Sequence, residues 1–369
     1  MTKKLFAACA VAGLILSLAG STLAHDKITE GQPGEKVERS LAVDPQAVVT
    51  LCVASGTLKV RGWEKSEIRV RSIDAVQIDF RRIDRTKDTS KPATRVDVML
   101  IEKGTAAHRR HDCQTLANVE MEVPVGAIVQ AQTRDGDIFI TGVAGAYAGS
   151  QNGDIAIERV TKLVEAGSVG GSIRLRDSSG RVNLNSAGGG VEVFNVNAAT
   201  DDDTFEVGTV SGDIQLDRVS TRSVNAKTVS GTLMMSGPLA KSGNYGFTSM
   251  SGDMVFAMPS DASFQLNAKI SDKHSIVSDF QLKYLNEPPT PAAPPAKKAP
   301  EAKPKPPAVK DKLEKDKAPK AGPVIAPIIT PRPAVVVTYS LRRVTAICGS
   351  GDAIITVASF GGTVRLKKI

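Results

Sequence analysis

One eight-residue phrase constrains this chain more than any other feature. TVSGDIQL, Thr209 to Leu216, recurs with variations as TRDGDIFI from Thr133, SQNGDIAI from Ser150, SVGGSIRL from Ser168, TVSGTLMM from Thr228 and SMSGDMVF from Ser249. With the glycine of each copy at position 0, positions −7, −5, +2 and +4 are apolar and position −3 is Ser or Thr. Around Gly171 these are Val164, Ala166, Ile173, Leu175 and Ser168; around Gly212 they are Phe205, Val207, Ile214, Leu216 and Thr209. Copies centred on Gly136, Gly153, Gly171, Gly189, Gly212, Gly231 and Gly252 follow one another at steps of 17, 18, 18, 23, 19 and 21 residues. Two outlying copies carry Gly56, where Val53 replaces the hydroxyl residue, and Gly362, close to the C-terminus.

Alternation of apolar and polar residues on both sides of the glycine has period two, so each copy reads as a strand, a corner and a second strand. At the corner, glycine, Asn-Gly or Asp-Gly is expected to supply the positive φ that other residues resist. A coil this short buries one face of each strand only against its neighbours, which is the logic of a solenoid. The expected fold is all-β: a single-stranded β-helix-like solenoid of ~17–23-residue coils over 126–286, with Ile and Leu ladders on one wall and Val, Ala and hydroxyl ladders on the other. A β-sandwich of stacked hairpins has the same alternation and is the competing architecture. Residues 36–125 are less regular and read as an N-terminal antiparallel β cap, which an open solenoid end needs to cover its unpaired edge.

Outside the repeat, residues 1–24 combine Lys3 and Lys4, an apolar run from Leu5 to Leu18 and small residues before Ala24, the pattern of a secretory signal peptide. The run is shorter than the ~20 residues a membrane-spanning helix needs. Residues 287–333 hold 14 of the 20 prolines, and ten Lys or Arg against five Asp or Glu. Such a segment is expected to be a disordered, partly polyproline-II insertion. Because the Gly362 copy lies beyond it, residues 334–369 are expected to be a closing coil of the same repeat domain. Most of the net charge of +8 sits in the insertion and the leader. A basic nucleic-acid-binding face on the folded part is therefore not expected. Past the leader, which takes Cys9 with it, Cys52, Cys113 and Cys348 allow at most one internal disulfide.

Candidate chemistry was sought at every reactive cluster. Position +1 of the repeat reads Asp137, Asp154, Ser172, Gly190, Asp213, Thr232, Asp253 and Thr363. Half of that ladder lacks a carboxylate, whereas calcium takes several oxygen ligands, so these residues are expected to cap corners. Asp201, Asp202 and Asp203 form the densest acidic cluster, which a glycoside hydrolase would need to pair across a cleft; a solvated loop is expected instead. His108, His111, Asp112 and Cys113 have ligand-type side chains at short spacing, but no second His/Cys pair follows as a closed zinc site requires. His25 and His274 stand alone, and Trp63 reads as a packing residue of the cap more than a sugar-stacking platform. No catalytic, metal or cofactor-binding residue is expected.

SGTLKVRGWEKSEIRVRS, the run of SGDI corners, MPSDASFQLNAKISDKHSIVSDF and the closing SGDAIITVASFGGTVRLKK together resemble the DUF4097 family, described as adhesins with β-strand repeats. The resemblance covers most of 40–369 apart from the Lys/Pro insertion. It implies an exported envelope or surface protein of β-helix type without established catalytic residues. The expected function is accordingly a non-enzymatic adhesin or envelope scaffold, periplasmic, outer-surface or extracellular, whose partner is a cell-envelope polymer or a surface protein. The alternatives are a polysaccharide lyase or hydrolase on the same fold and an envelope-stress sensor acting through a protein partner.

Overall fold

The computed structural model describes residues 36–74, 77–83, 90–101, 113, 115–271, 275–285 and 341–369. The leader and the insertion expected at 287–333 lie outside them. Six strands come from the N-terminal region: β1 (Val37–Ser55), β2 (Leu58–Trp63), β3 (Glu67–Ser72), β4 (Gln77–Arg82), β5 (Ala93–Ile101) and β6 (Val119–Pro124). Each of the seven consecutive repeats then gives two strands, one before its glycine and one after. They are β7 (Ile128–Asp135) and β8 (Ile138–Thr141), β9 (Gly145–Ser150) and β10 (Ile155–Glu158), β11 (Leu163–Ser168) and β12 (Ile173–Ser179), β13 (Arg181–Ser186) and β14 (Val191–Asn197). The series continues with β15 (Thr204–Thr209) and β16 (Ile214–Ser220), β17 (Ser223–Ser230) and β18 (Leu233–Ser236), β19 (Asn244–Ser251) and β20 (Met254–Met258). The chain closes with β21 (Phe264–Ser271), β22 (Ile276–Ser278), β23 (Lys283–Tyr284), β24 (Leu341–Cys348), β25 (Ala353–Ser359) and β26 (Val364–Lys368).

Every strand of the repeat pairs in parallel with the strand one coil away, never with its own neighbour in sequence. Odd strands β7 to β19 form one wall, and even strands β8 to β20 form the other. This is the solenoid; stacked hairpins would pair antiparallel. The register aligns like with like, so Ser150, Ser168 and Ser186 stand in one row and Ile138, Ile155 and Ile173 in another. Between the walls lies a single continuous core. Short coils fill it with Ala146, Ala148, Ile155 and Ile157, whereas the longer ones bury Phe205, Tyr245, Phe247 and Phe256. The Tyr245 hydroxyl, buried with its ring, accepts from the Ala240 amide at 2.6 Å and donates to the Thr221 carbonyl at 3.3 Å. Burial raises its pKa.

The corner glycines are needed for a different reason than positive φ. Among them only Gly56, Gly231, Gly252 and Gly362 have φ in the left-handed region. What all of them share is a close approach: a Cβ on Gly153, Gly171, Gly189 or Gly212 would overlap the carbonyl of the corner glycine one coil before it. The stack therefore has a backbone seam with no room for a side chain. The hydroxyl at −3 fastens the same seam. Ser168 Oγ accepts from the Gly171 amide at 2.9 Å and donates to the Gly153 carbonyl at 3.3 Å; Ser150 and Ser186 repeat the pattern.

A second corner was not expected. At position +6, Gly142, Arg159, Asp177, Asn195, Arg218 and Gly237 all have positive φ. This left-handed residue reverses the alternation, turning the next side chain inward, so Val143, Val160, Ser178, Val196 and Val219 line a third buried row.

Both ends are built alike. β1 and β2 stack in parallel on β7 and β8, and β5 and β6 stack in parallel outside them. The antiparallel pairs of the expected cap, β3 with β1 and β6 and β4 with β5, lie over these two further coils. At the far end, β25 and β26 pair with β19 and β20 on one side and with β21 and β22 on the other. The last segment of the chain thus fills the next-to-last place in the stack. Antiparallel β24 and β23 then cover β21.

Candidate functional site

The groups that offered chemistry in the sequence are mostly engaged in building the stack. Asp137 Oδ1 accepts the Asp154 amide at 2.9 Å, Asp154 Oδ1 the Ser172 amide at 2.8 Å, Asp213 Oδ1 the Thr232 amide at 2.7 Å and Asp253 Oδ1 the Thr363 amide at 2.8 Å. Each carboxylate caps the corner of the next coil, and Asn118 does the same for Thr57 at 2.9 Å. Because the Asp154 carboxyl oxygen accepts the Ser172 amide and an Asn carboxamide oxygen can do the same, Asp154→Asn is expected to melt like the parent. Asp154→Ala is expected to lose about 1 kcal/mol. Denaturant titrations with and without a chelator check both points, and a calcium-dependent midpoint would contradict them.

Asp203 closes a turn. Its Oδ2 accepts the amides of Ala199 and Thr200, both at 2.7 Å. Burial works against its charge, but these two amides, the Thr200 hydroxyl and the positive charge of Arg181 together outweigh it and hold the carboxyl below its ordinary value. Asp201 pairs with Arg222 at 3.2 Å. The cluster is thus a loop device. Cys113 is bonded to Cys52 and so is no thiolate ligand; His108, His111 and Asp112, like His25 and His274, lie outside the described residues. The Trp63 ring has the Lys65 ammonium 4.9 Å and the Arg69 guanidinium 4.6 Å from its centre. Its indole N–H donates to the Glu67 carbonyl at 2.7 Å, so the ring is held within the cap. Cys348 is buried, and burial raises the pKa of its thiol.

What faces outward on the odd-strand wall is different. Position −6 carries Tyr147, Glu165, Asn183, Glu206 and Asn225 in one register row. Position −4, beside it, carries Gly149, Gly167, Asn185, Gly208 and Lys227. These glycines are unlike those of the corner. A Cβ on Gly149 or Gly167 would meet nothing closer than 3.8 Å, and on Gly208 only the movable Asn185 carboxamide. Packing does not require glycine here, and its effect is to lower the floor at Gly149, Gly167 and Gly208, on either side of the exposed Asn185. On the other side of this floor, position −2 presents Val169, Ala187 and Val210 to solvent. The result is a shallow surface trough, crossed by the Asn185 side chain, with a polar row on one side and an apolar row on the other. Sequence analysis named none of these positions as candidates; the signal was glycine recurring at −4 inside strands, where it weakens a sheet unless something approaches closely.

Among the described residues no group of three His, Cys, Asp or Glu side chains is placed to hold a metal ion. No helix of theirs is long and apolar enough to cross a membrane.

The profile of the family described as Toastrack DUF4097 matches residues 102–284. No curated protein matches the chain. Among solved structures, a "putative adhesin" from Parabacteroides merdae is 11% identical, with 61% of this chain and 90% of that chain covered and a TM-score of 0.37. A "putative cell adhesion protein" from Clostridium sporogenes is 9% identical, with 91% of this chain and all of that chain covered and a TM-score of 0.18.

Proposed function

Residues 102–284 match the profile of the family described as Toastrack DUF4097, and we propose that this chain is an exported, non-catalytic β-solenoid that binds an envelope polymer, a polysaccharide, along its odd-strand wall. The observation that carries the reading is the groove itself. Its carboxamide and carboxylate rim at Glu165, Asn183 and Glu206 offers hydrogen bonds to sugar hydroxyls, and its apolar rim at Val169 and Val210 suits the carbon faces of pyranose rings. Coils repeat about every 4.8 Å, so both rows present their groups as regular ladders along the axis. Export is supported by the signal pattern of residues 1–24 and by the Cys52–Cys113 bridge, since such bonds persist in oxidising compartments.

The experiment is retention of the full chain on insoluble peptidoglycan and on envelope polysaccharides, with analysis of the soluble products. Gly167→Arg places a long side chain on the groove floor where a Cβ meets open space, so it is expected to leave the melting temperature unchanged and reduce retention at least tenfold. Equal retention by G167R would remove the groove from the reading. Release of oligosaccharide would replace it with a lyase or hydrolase, and capture of one dominant protein from crosslinked cells with a sensor.

A further inference from the structure

The apolar rim does not stop at the groove. Position −2 continues past Val169, Ala187 and Val210 to Val229, Met250 and Phe360, on successive coils. Val169 is 59%, Val210 50%, Val229 46% and Met250 52% exposed. The residues beside them at −1 are Gly170, Gly188, Ser211, Ser230, Ser251 and Gly361, too small to cover them. In the preceding coils the same corner is polar, with Arg134 and Asp135, then Gln151 and Asn152. The corner thus changes character along the axis and becomes a continuous exposed apolar ridge, the kind of surface that soluble proteins cover with a partner.

Strand register identifies what lies at the end of that ridge. Met250 follows Ser249, which pairs with Ser359, so Met250 and Phe360 are in line. Ile270 pairs with Ser359, and Ser271 with Leu341, so Leu341 falls on the same line two strands further on. The stretch that runs into Leu341 is PVIAPIITPRPAVVVTYS, residues 323–340, with Arg332 its single charge. Leu285, from which the intervening chain departs, donates its amide to the Thr345 carbonyl at 2.9 Å on the same end strand. The ridge from Phe360 to Val169 spans five coil steps, about 24 Å, and 18 extended residues reach about 60 Å. Attachment beside the ridge gives the stretch a millimolar-range effective concentration there, which a separate partner would have to exceed.

We propose that the apolar stretch 323–340 of the same chain docks along the Val169–Phe360 ridge, with its Val335, Val336 and Val337 nearest the Met250 end. The inference does not rest on the polymer reading; because Val169 and Val210 belong to both surfaces, a polymer would have to displace the docked stretch from them, and the test uses no polymer. In the full chain, Val229 is replaced by p-benzoylphenylalanine and irradiated at low micromolar concentration, and the crosslinked peptides are mapped. Crosslinks within the monomer to 323–340 are expected, falling at least fivefold in the triple variant V335D/V336D/V337D. That variant is also expected to bind a hydrophobic fluorescent dye several-fold more than the parent, at equal melting temperature. Covalent dimers would assign the ridge to a second copy and overturn the proposal. Crosslinks to 287–322 or to none of the chain, or a yield unchanged in the triple variant, would overturn it as well.

Discussion

Gly171→Val is expected to destabilise the solenoid by about 3 kcal/mol or more, while Gly167→Ala, in the same coil, is expected to change stability by less than about 1 kcal/mol and in the favourable direction. The two glycines differ in what a side chain would meet. At Gly171 the new Cβ runs into the backbone of Gly153 and Asp154, which are themselves hydrogen-bonded into the seam. Relief requires two coils to separate, and separation also breaks the bond from Ser168 to the Gly153 carbonyl. At Gly167 the nearest atom is the Asn185 carbonyl at 3.9 Å, so alanine fits and restricts the unfolded chain. Denaturant midpoints of the two variants measured side by side decide the matter; equal effects would mean that the seam is not as close as described.

Removing the Cys52–Cys113 bridge is expected to cost about 4 kcal/mol. The bridge spans 61 residues, and the entropy regained by the unfolded chain grows with the logarithm of that length. It ties β1, buried against β7, to the segment that leads into β6. Cys52→Ser with Cys113→Ser, or the parent in reductant, should therefore lose protection first in β1 to β6, as hydrogen exchange would record. Cys348, buried and unbridged, should leave stability insensitive to alkylating reagents in the native state. Uniform loss of protection across all coils would show instead that the stack unfolds as one unit.

The repeated residues made the fold legible. Apolar −7, −5, +2 and +4 with a hydroxyl at −3 define a coil, and the Gly362 copy beyond the Pro-rich segment pointed to one stack. The reason for the corner glycines was not legible, because a turn needing positive φ and a seam too close for Cβ select the same residue. The left-handed corner at +6 left only a diluted trace: Gly142, Asn195 and Gly237 suit it, but Arg159, Asp177 and Arg218 adopt it at about 1–2 kcal/mol each. The order of coils at the ends was hidden too, since a period says which segments stack and not which neighbour each takes. For the site, the sequence drew attention to acids, histidines and cysteines. The groove is made of positions where a residue is small or ordinary, and only the register that aligns Tyr147 with Glu165 and Gly149 with Gly167 makes a surface of them.

The placement of β25 and β26 between β19–β20 and β21–β22 has a consequence for how the molecule is assembled. Asp253 receives its partner Thr363 from 110 residues further along the chain, so the place beside β20 stays empty until β26 arrives. Until then β21 and β22, which share the same alternation, compete for that place and would give a shorter stack with every ladder satisfied but one coil left over. Folding at this end is therefore a choice between two near-equivalent queues, decided by β25 and β26. A chain cut before Ala353 should settle in the shorter arrangement and be unable to take the missing coil back without first opening.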